Sequence, residues 1–132
     1  MAKIYKDLNV YKTSYRLAID LHRLVKRLPI LETDVIGKQL LRAAYSIPSN
    51  IAEGCARKLS RSDLRGFIKI AAGSNEEVLF NIEVLHDLKL ISDEEFDRLH
   101  GEYTICVKQL FTLVKSLSKD LKTHNQPTTN NQ

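Results

Sequence analysis

The sequence predicts an all-α protein, an antiparallel up-down-up-down four-helix bundle whose second helix is kinked near Pro48. Three observations predict it. Apolar residues recur every three or four positions in four long stretches, which places them along one side of a helix. No stretch alternates with period two, so no sheet is expected. Only three prolines and five glycines punctuate 132 residues, so the elements must be long.

The first helix is expected from about Leu8 to Leu28. Tyr11, Ser14, Leu17, Ala18, Leu21, Leu24, Val25 and Leu28 share one face, and Lys12, Arg16, Arg23, Lys26 and Arg27 share the other. Pro29 ends it, because the residue before a proline is disfavoured in the α region. The second helix is expected to start with Thr33 or Asp34 as N-cap and to run to about Arg57. Its seam is Ile36, Leu40, Ala43, Ala44, Ile47, Ile51 and Cys55. Pro48 removes a hydrogen bond to the carbonyl of Ala44, which predicts a kink or a break into two short helices.

Ser60, with Asp63 three residues on, opens the third helix, whose apolar positions are Phe67, Ile70, Ala71, Ser74, Val78, Ile82, Leu85 and Leu88. Ser92 and Glu95 form a capping box for the fourth, and Asp93 and Glu94 suit the positive end of its dipole. Phe96, Leu99, Tyr103, Cys106, Leu110, Leu113, Leu117 and Leu121 form its seam. The domain is thus expected to span residues 1–122. The polar tail 123–132, THNQPTTNNQ, has nothing to bury and is expected to be disordered.

Apolar residues make up 43% of the chain and charged residues 27%, as in a soluble single domain. No apolar run approaches the roughly 20 residues of a membrane span, and Lys3, Lys6, Asp7 and Lys12 leave no signal-peptide pattern. Cys55 and Cys106 lie far apart within helical apolar patterns and read as reduced, buried thiols of a cytoplasmic protein. The net charge of +4 is unevenly spread. Residues 1–72 are strongly basic, residues 73–103 hold only Lys89 and Arg98 against nine acids, and the stretch from Thr104 is basic again. Such polarity suits an anionic partner or head-to-tail contact between copies.

Catalytic chemistry finds little support. Glu83-Val-Leu-His86 and Asp97-Arg-Leu-His100 resemble the motifs of a di-metal carboxylate bundle, but the first helix offers only Asp20 and the motifs flank a turn at the bundle's end. Solvated helix surface is the better reading, and no cofactor or metal is expected. Cys55 has no histidine in its segment, and no glycine loop suits a phosphate.

The basic residues point to binding. Arg61, Arg65 and Lys69 recur every four residues, with Arg57 and Lys58 in the turn before them. Together they would neutralise several phosphates. Lys12, Arg16, Arg23 and Arg27 form a second candidate stripe. Aromatic interleaving is poor, since Tyr11 and Tyr15 fall toward the apolar side, so contact is expected with backbone or shape. On the second helix Arg42, Ser46, Ser49 and Glu53 make a polar line beside the seam, read either as solvated surface or as an interface with a second copy. Ile19, at the edge of the first helix's basic face, also hints at assembly.

The segment Gln39–Arg57, QLLRAAYSIPSNIAEGCAR, closely resembles the 23S rRNA intervening-sequence protein family. The likeness extends to Asp7–Tyr11, Ile36–Leu40 and Phe67–Ser74 with Glu76-Glu77, and covers roughly residues 5–120. The resemblance implies a bacterial four-helix bundle that assembles into a ring, commonly a pentamer. The family is also similar to the accessory protein of diversity-generating retroelements, which implies RNA or DNA and a reverse transcriptase as partners. In the motif, Arg42 and Arg57 match the family's basic positions, whereas Leu41 stands where the pattern has arginine. The function expected is a non-enzymatic, homo-oligomeric nucleic-acid-binding accessory protein. The alternative is a structural or adaptor oligomer whose partner is a protein.

Overall fold

The computed structural model describes residues 8–57 and 60–124, with side chains described through Ser118. Helix α1 is Asn9–Lys26, α2 is Lys38–Ala56, α3 is Arg61–Asp87 and α4 is Asp93–His124. Among the described residues there is no strand, and the four helices pack as a bundle. All but the first two residues of the expected tail lie outside the described residues, as do Lys58 and Leu59.

Cross-contacts define how neighbours run. Thr33 and Gly37 lie against Val25, while Tyr45 meets His22, so α1 and α2 are antiparallel. Gly54 abuts Leu64 and Phe67, and Ser74 Oγ bonds to Ser46 Oγ at 2.8 Å, so α2 and α3 are antiparallel. Arg65 meets Ser118 and Glu83 meets His100, which does the same for α3 and α4. The expected seams of α1, α2 and α4 line the core, with Leu17, Leu21, Leu40, Ile47, Leu99 and Leu110 among the fully buried side chains.

The start of the second helical stretch differs from expectation. Helical backbone begins at Ile30, directly after Pro29, and passes through a π-helical turn, Thr33–Gly37, before α2. Neither Thr33 nor Asp34 is an N-cap. The Thr33 hydroxyl instead donates back to the carbonyl of Leu28, just past the end of α1, and to that of Val25, which also accepts from Leu28 N–H. The wide turn brings Gly37 against α1, where a Cβ would lie 2.7 Å from Val25 Cγ1. Pro48 is buried inside α2, which continues unbroken to Ala56. The break into two short helices does not occur.

Both expected serine caps form. Asp63 N–H donates to Ser60 Oγ at 3.1 Å, and Glu95 N–H to Ser92 Oγ at 3.0 Å. The seam of α3 is wider than the sequence pattern suggested. Ile70 and Leu88 are exposed, whereas Ile68, Ala72, Asn75, Leu79 and Asn81 are buried. The helix packs extensively against both α2 and α4, so its buried sector spreads around the helix instead of following one line.

Two glycines separate helix propensity from packing. A Cβ on Gly54 would sit 2.9 Å from Phe67 Cβ, an atom anchored to its backbone, whereas one on Gly101 would meet nothing within 4 Å. Gly54→Ala is therefore expected to lower stability by roughly 1–3 kcal/mol, and Gly101→Ala to raise it by about 0.8–1 kcal/mol. Denaturant titration of the two variants checks the opposite signs.

Candidate nucleic-acid interface

The two cationic stripes read from the sequence meet different surroundings. On α1, Arg16 donates to Glu102 at 2.5 Å and lies 3.7 Å from Asp20, and Arg27 pairs with Glu95 at 2.7 Å. From α4, Arg98 returns the contact to Asp20 at 3.4 Å. The bond to Glu102 raises the Arg16 pKa. The basic face of α1 and the acidic start of α4 thus neutralise part of each other inside the chain. Lys12 and Arg23 are exposed and make no ion pair among the described residues.

The start of α3 is different. Arg61 is its exposed first residue, Lys69 is exposed two turns on, and the half-buried Arg65 donates from Nε to Ser118 Oγ. That bond joins the start of α3 to the last turns of α4, a helix on which Lys115 and, at its middle, Lys108 are exposed. Residues 64–75 of α3 contain no acid, and neither do residues 103–119 of α4. Lys108 and Lys115 were not singled out in the sequence, because 39 to 50 residues separate them from Arg65 and Lys69. The basic balance after Thr104, folded back on α3 by the expected hairpin, was the signal that could have found them.

At the opposite end of the same helix pair the acids collect. Glu83 accepts from His100 at 2.9 Å and Asp93 from His86 at 2.7 Å, and Phe96 lies between the rings, stacked on His86 at 4.1 Å. One bond, Glu83–His100, thus joins the two E-x-x-H-like segments across the hairpin, while His86 turns to Asp93 ahead of the second segment. Among the described residues no three histidine, cysteine, aspartate or glutamate side chains converge as metal ligands.

Arg57 pairs with Glu53 at 2.8 Å and lies over the Phe67 ring, 5.6 Å from its centroid. Lys58 is outside the described residues. Arg42 is exposed on the rim of a polar cleft with Gln39, Ala43, Ser46, Ser74 and Glu77. Of the remaining polar line, Ser46 accepts bonds from Ser74 and Asn50, Ser49 is exposed, and Ile19 is half-buried. The line is continuous, since α2 passes through Pro48.

Residues 6–112 match the model of the 23S rRNA-intervening sequence protein family. This chain belongs to that family. A solved structure from Bacteroides thetaiotaomicron VPI-5482, described as a protein of unknown function from the S23 ribosomal protein family, is 26% identical with a TM-score of 0.72. The match covers 80% of this chain and 98% of that one. No curated protein matches this chain. The family assignment accounts for the bundle and for the SIPSNIAEG segment of α2, and no helix is long and apolar enough to cross a membrane among the described residues.

Neither cysteine is poised for chemistry. Burial pushes the fully buried Cys106 thiol up to about 11, with the carboxylate of Glu102 adding to the shift, and burial raises Cys55 as well. The native state holds the neutral thiol, so its contribution is complete below the ordinary value of 9.0 and is lost as pH rises toward about 11. Raising pH from about 8 to about 10.5 should cost the wild type roughly 2 kcal/mol more stability than Cys106→Ala loses. Denaturant midpoints of both proteins at the two pH values check it.

Proposed function

We propose that this chain acts by binding and not by catalysis, as a homo-oligomer that holds the phosphate backbone of RNA or DNA on the cationic face shared by α3 and α4. One observation carries the reading. The antiparallel register sets the cationic start of α3 beside the cationic end of α4, like charge on like. Arg65 gains a neutral bond to Ser118 there, while residues 64–75 and 103–119 supply no carboxylate. Opposite polarities would have given ion pairs along the seam, as they do between α1 and α4. An anionic ligand relieves the repulsion, and a polyphosphate does so at several points at once. The residues assigned to contact are Arg61, Arg65, Lys69, Lys108 and Lys115. Arg16, Arg27 and Arg57 already face carboxylates and are assigned no phosphate.

Charge reversal tests this. Arg65→Glu with Lys69→Glu should weaken binding to structured RNA by about tenfold or more. The slope of log affinity against log salt should flatten by roughly 2. A wild type that binds neither RNA nor DNA at low salt would end the proposal.

A second reading, a structural or adaptor oligomer with a protein partner, is favoured by exposed aliphatic side chains. Ile30 is 82% exposed, Leu31 68% and Ile105 58%. Mass measurement by light scattering tests assembly under either reading. A homo-oligomer is expected at micromolar concentration, and a monomer would remove the assembly from both.

A further inference from the structure

We infer that the cationic face takes a single-stranded segment of nucleic acid, with Phe111 as the platform on which an unpaired base stacks. The inference rests on the phosphate-binding reading above and narrows its substrate class.

Four aromatic side chains are exposed among the described residues: Tyr15, Tyr45, Phe80 and Phe111. Three have other company. Tyr15 leans against Tyr11, with ring centroids 6.0 Å apart, and the Tyr45 hydroxyl bonds to His22 Nδ1 at 2.6 Å. Phe80 has Glu76, Glu77 and Glu83 three or four residues away, so phosphate would be repelled from its surroundings. Phe111, 47% exposed, has Lys108 three residues before it and Lys115 four residues after it. At that spacing all three project from one side of α4.

The direction of that side follows from Ser118. It lies seven residues beyond Phe111, close to two full turns, and it bonds to Arg65 of α3. His100, eleven residues before Phe111 on the same line, donates to Glu83 of α3. Phe111 therefore belongs to the flank of α4 that is turned toward α3. The pairs Arg65–Ser118 and Glu83–His100 share one register, which puts Phe111 level with Ala72, within a turn of Lys69. A ring framed by Lys108, Lys115 and Lys69 is a base-sized apolar surface inside a phosphate-attracting field.

Core packing does not account for the ring, which leaves about half of its surface in water on a helix whose buried seam is already supplied by Tyr103, Cys106, Leu110 and Leu117. Paired bases in a duplex present no free faces, so an aromatic platform discriminates for unpaired nucleotides. Stacking is indifferent to sugar, and the shared ligand chemistry is a single strand of RNA or DNA.

The test uses the full chain, which has no tryptophan, so that Phe111→Trp introduces a lone reporter. Oligo(U) and oligo(dT) of about 12 nucleotides should quench its fluorescence, and a duplex of equal length should not. The two oligomers distinguish RNA from DNA as the preferred strand. Phe111→Ala should weaken single-strand binding by about tenfold, while Phe111→Tyr keeps it, Phe80→Ala leaves it unchanged, and the salt slope stays as in the wild type. Equal loss on duplex and single strand, or no loss at all, would overturn the stacking inference while leaving phosphate binding in place. If Phe111→Ala instead changes the mass of the assembly, the ring belongs to a contact between copies and the inference falls. Absence of any binding by the wild type removes both readings together.

Discussion

The five-residue turn from Leu88 to Ser92 sets the register of α3 on α4, and the charge layout of the molecule follows from that register. The turn is specified from both sides. Lys89 takes a left-handed backbone conformation, φ 61°, and its N–H bonds to the His86 carbonyl while Leu90 N–H reaches back to Leu85. Those two bonds close the end of α3, and Ser92 opens α4 at once by capping it. A non-glycine residue in that conformation is disfavoured, so the geometry is held by the hydrogen bonds and by the packing of Ile91 into the core.

With the register set, each helix end is committed to its neighbour. Glu83 must face His100 and Arg65 must face Ser118, so acids gather at the turn and cations at the far end. Helix α1 then docks with Arg16 and Arg27 on the acidic third of α4. The pairs are exposed, and each contributes little alone. Their consequence is that the acidic region is partly neutralised within the chain, whereas residues 64–75 and 103–119 bring no acid to the cationic region. The same fold thus accounts for both the clamp between α1 and α4 and the open face between α3 and α4.

Packing sets a second constraint, at close approaches of backbone. Gly37 admits α1 beside the π-helical turn, and Gly54 admits Phe67 beside α2. The family's SIPSNIAEG segment includes one of these glycines, together with buried Ile47, Pro48 and Ile51 and with Ser46, which bonds to α3. Much of that motif is therefore explained by the α2–α3 contact. Ser49 and Glu53 remain exposed on its outer line.

The sequence by itself determined the four helices, both serine caps and nearly all of the core on α1, α2 and α4, because periodicity and capping are local properties read within one element. It also identified the family. It misplaced the start of the second helical stretch, since the Thr33 hydroxyl bonds back to Val25 and Leu28 and does not cap the helix it precedes, a choice made only across elements. It drew the seam of α3 too narrow, since the width of a buried sector depends on how many neighbours a helix has. Only the tertiary structure decided which cations are paired and which are left open. Arg16 and Lys69 look alike in the chain, but one meets Glu102, 86 residues on, and the other lies in a stretch of α3, residues 64–75, without acids. Lys108, Phe111 and Lys115 come beside α3 by the same route, through a register that sequence distance conceals.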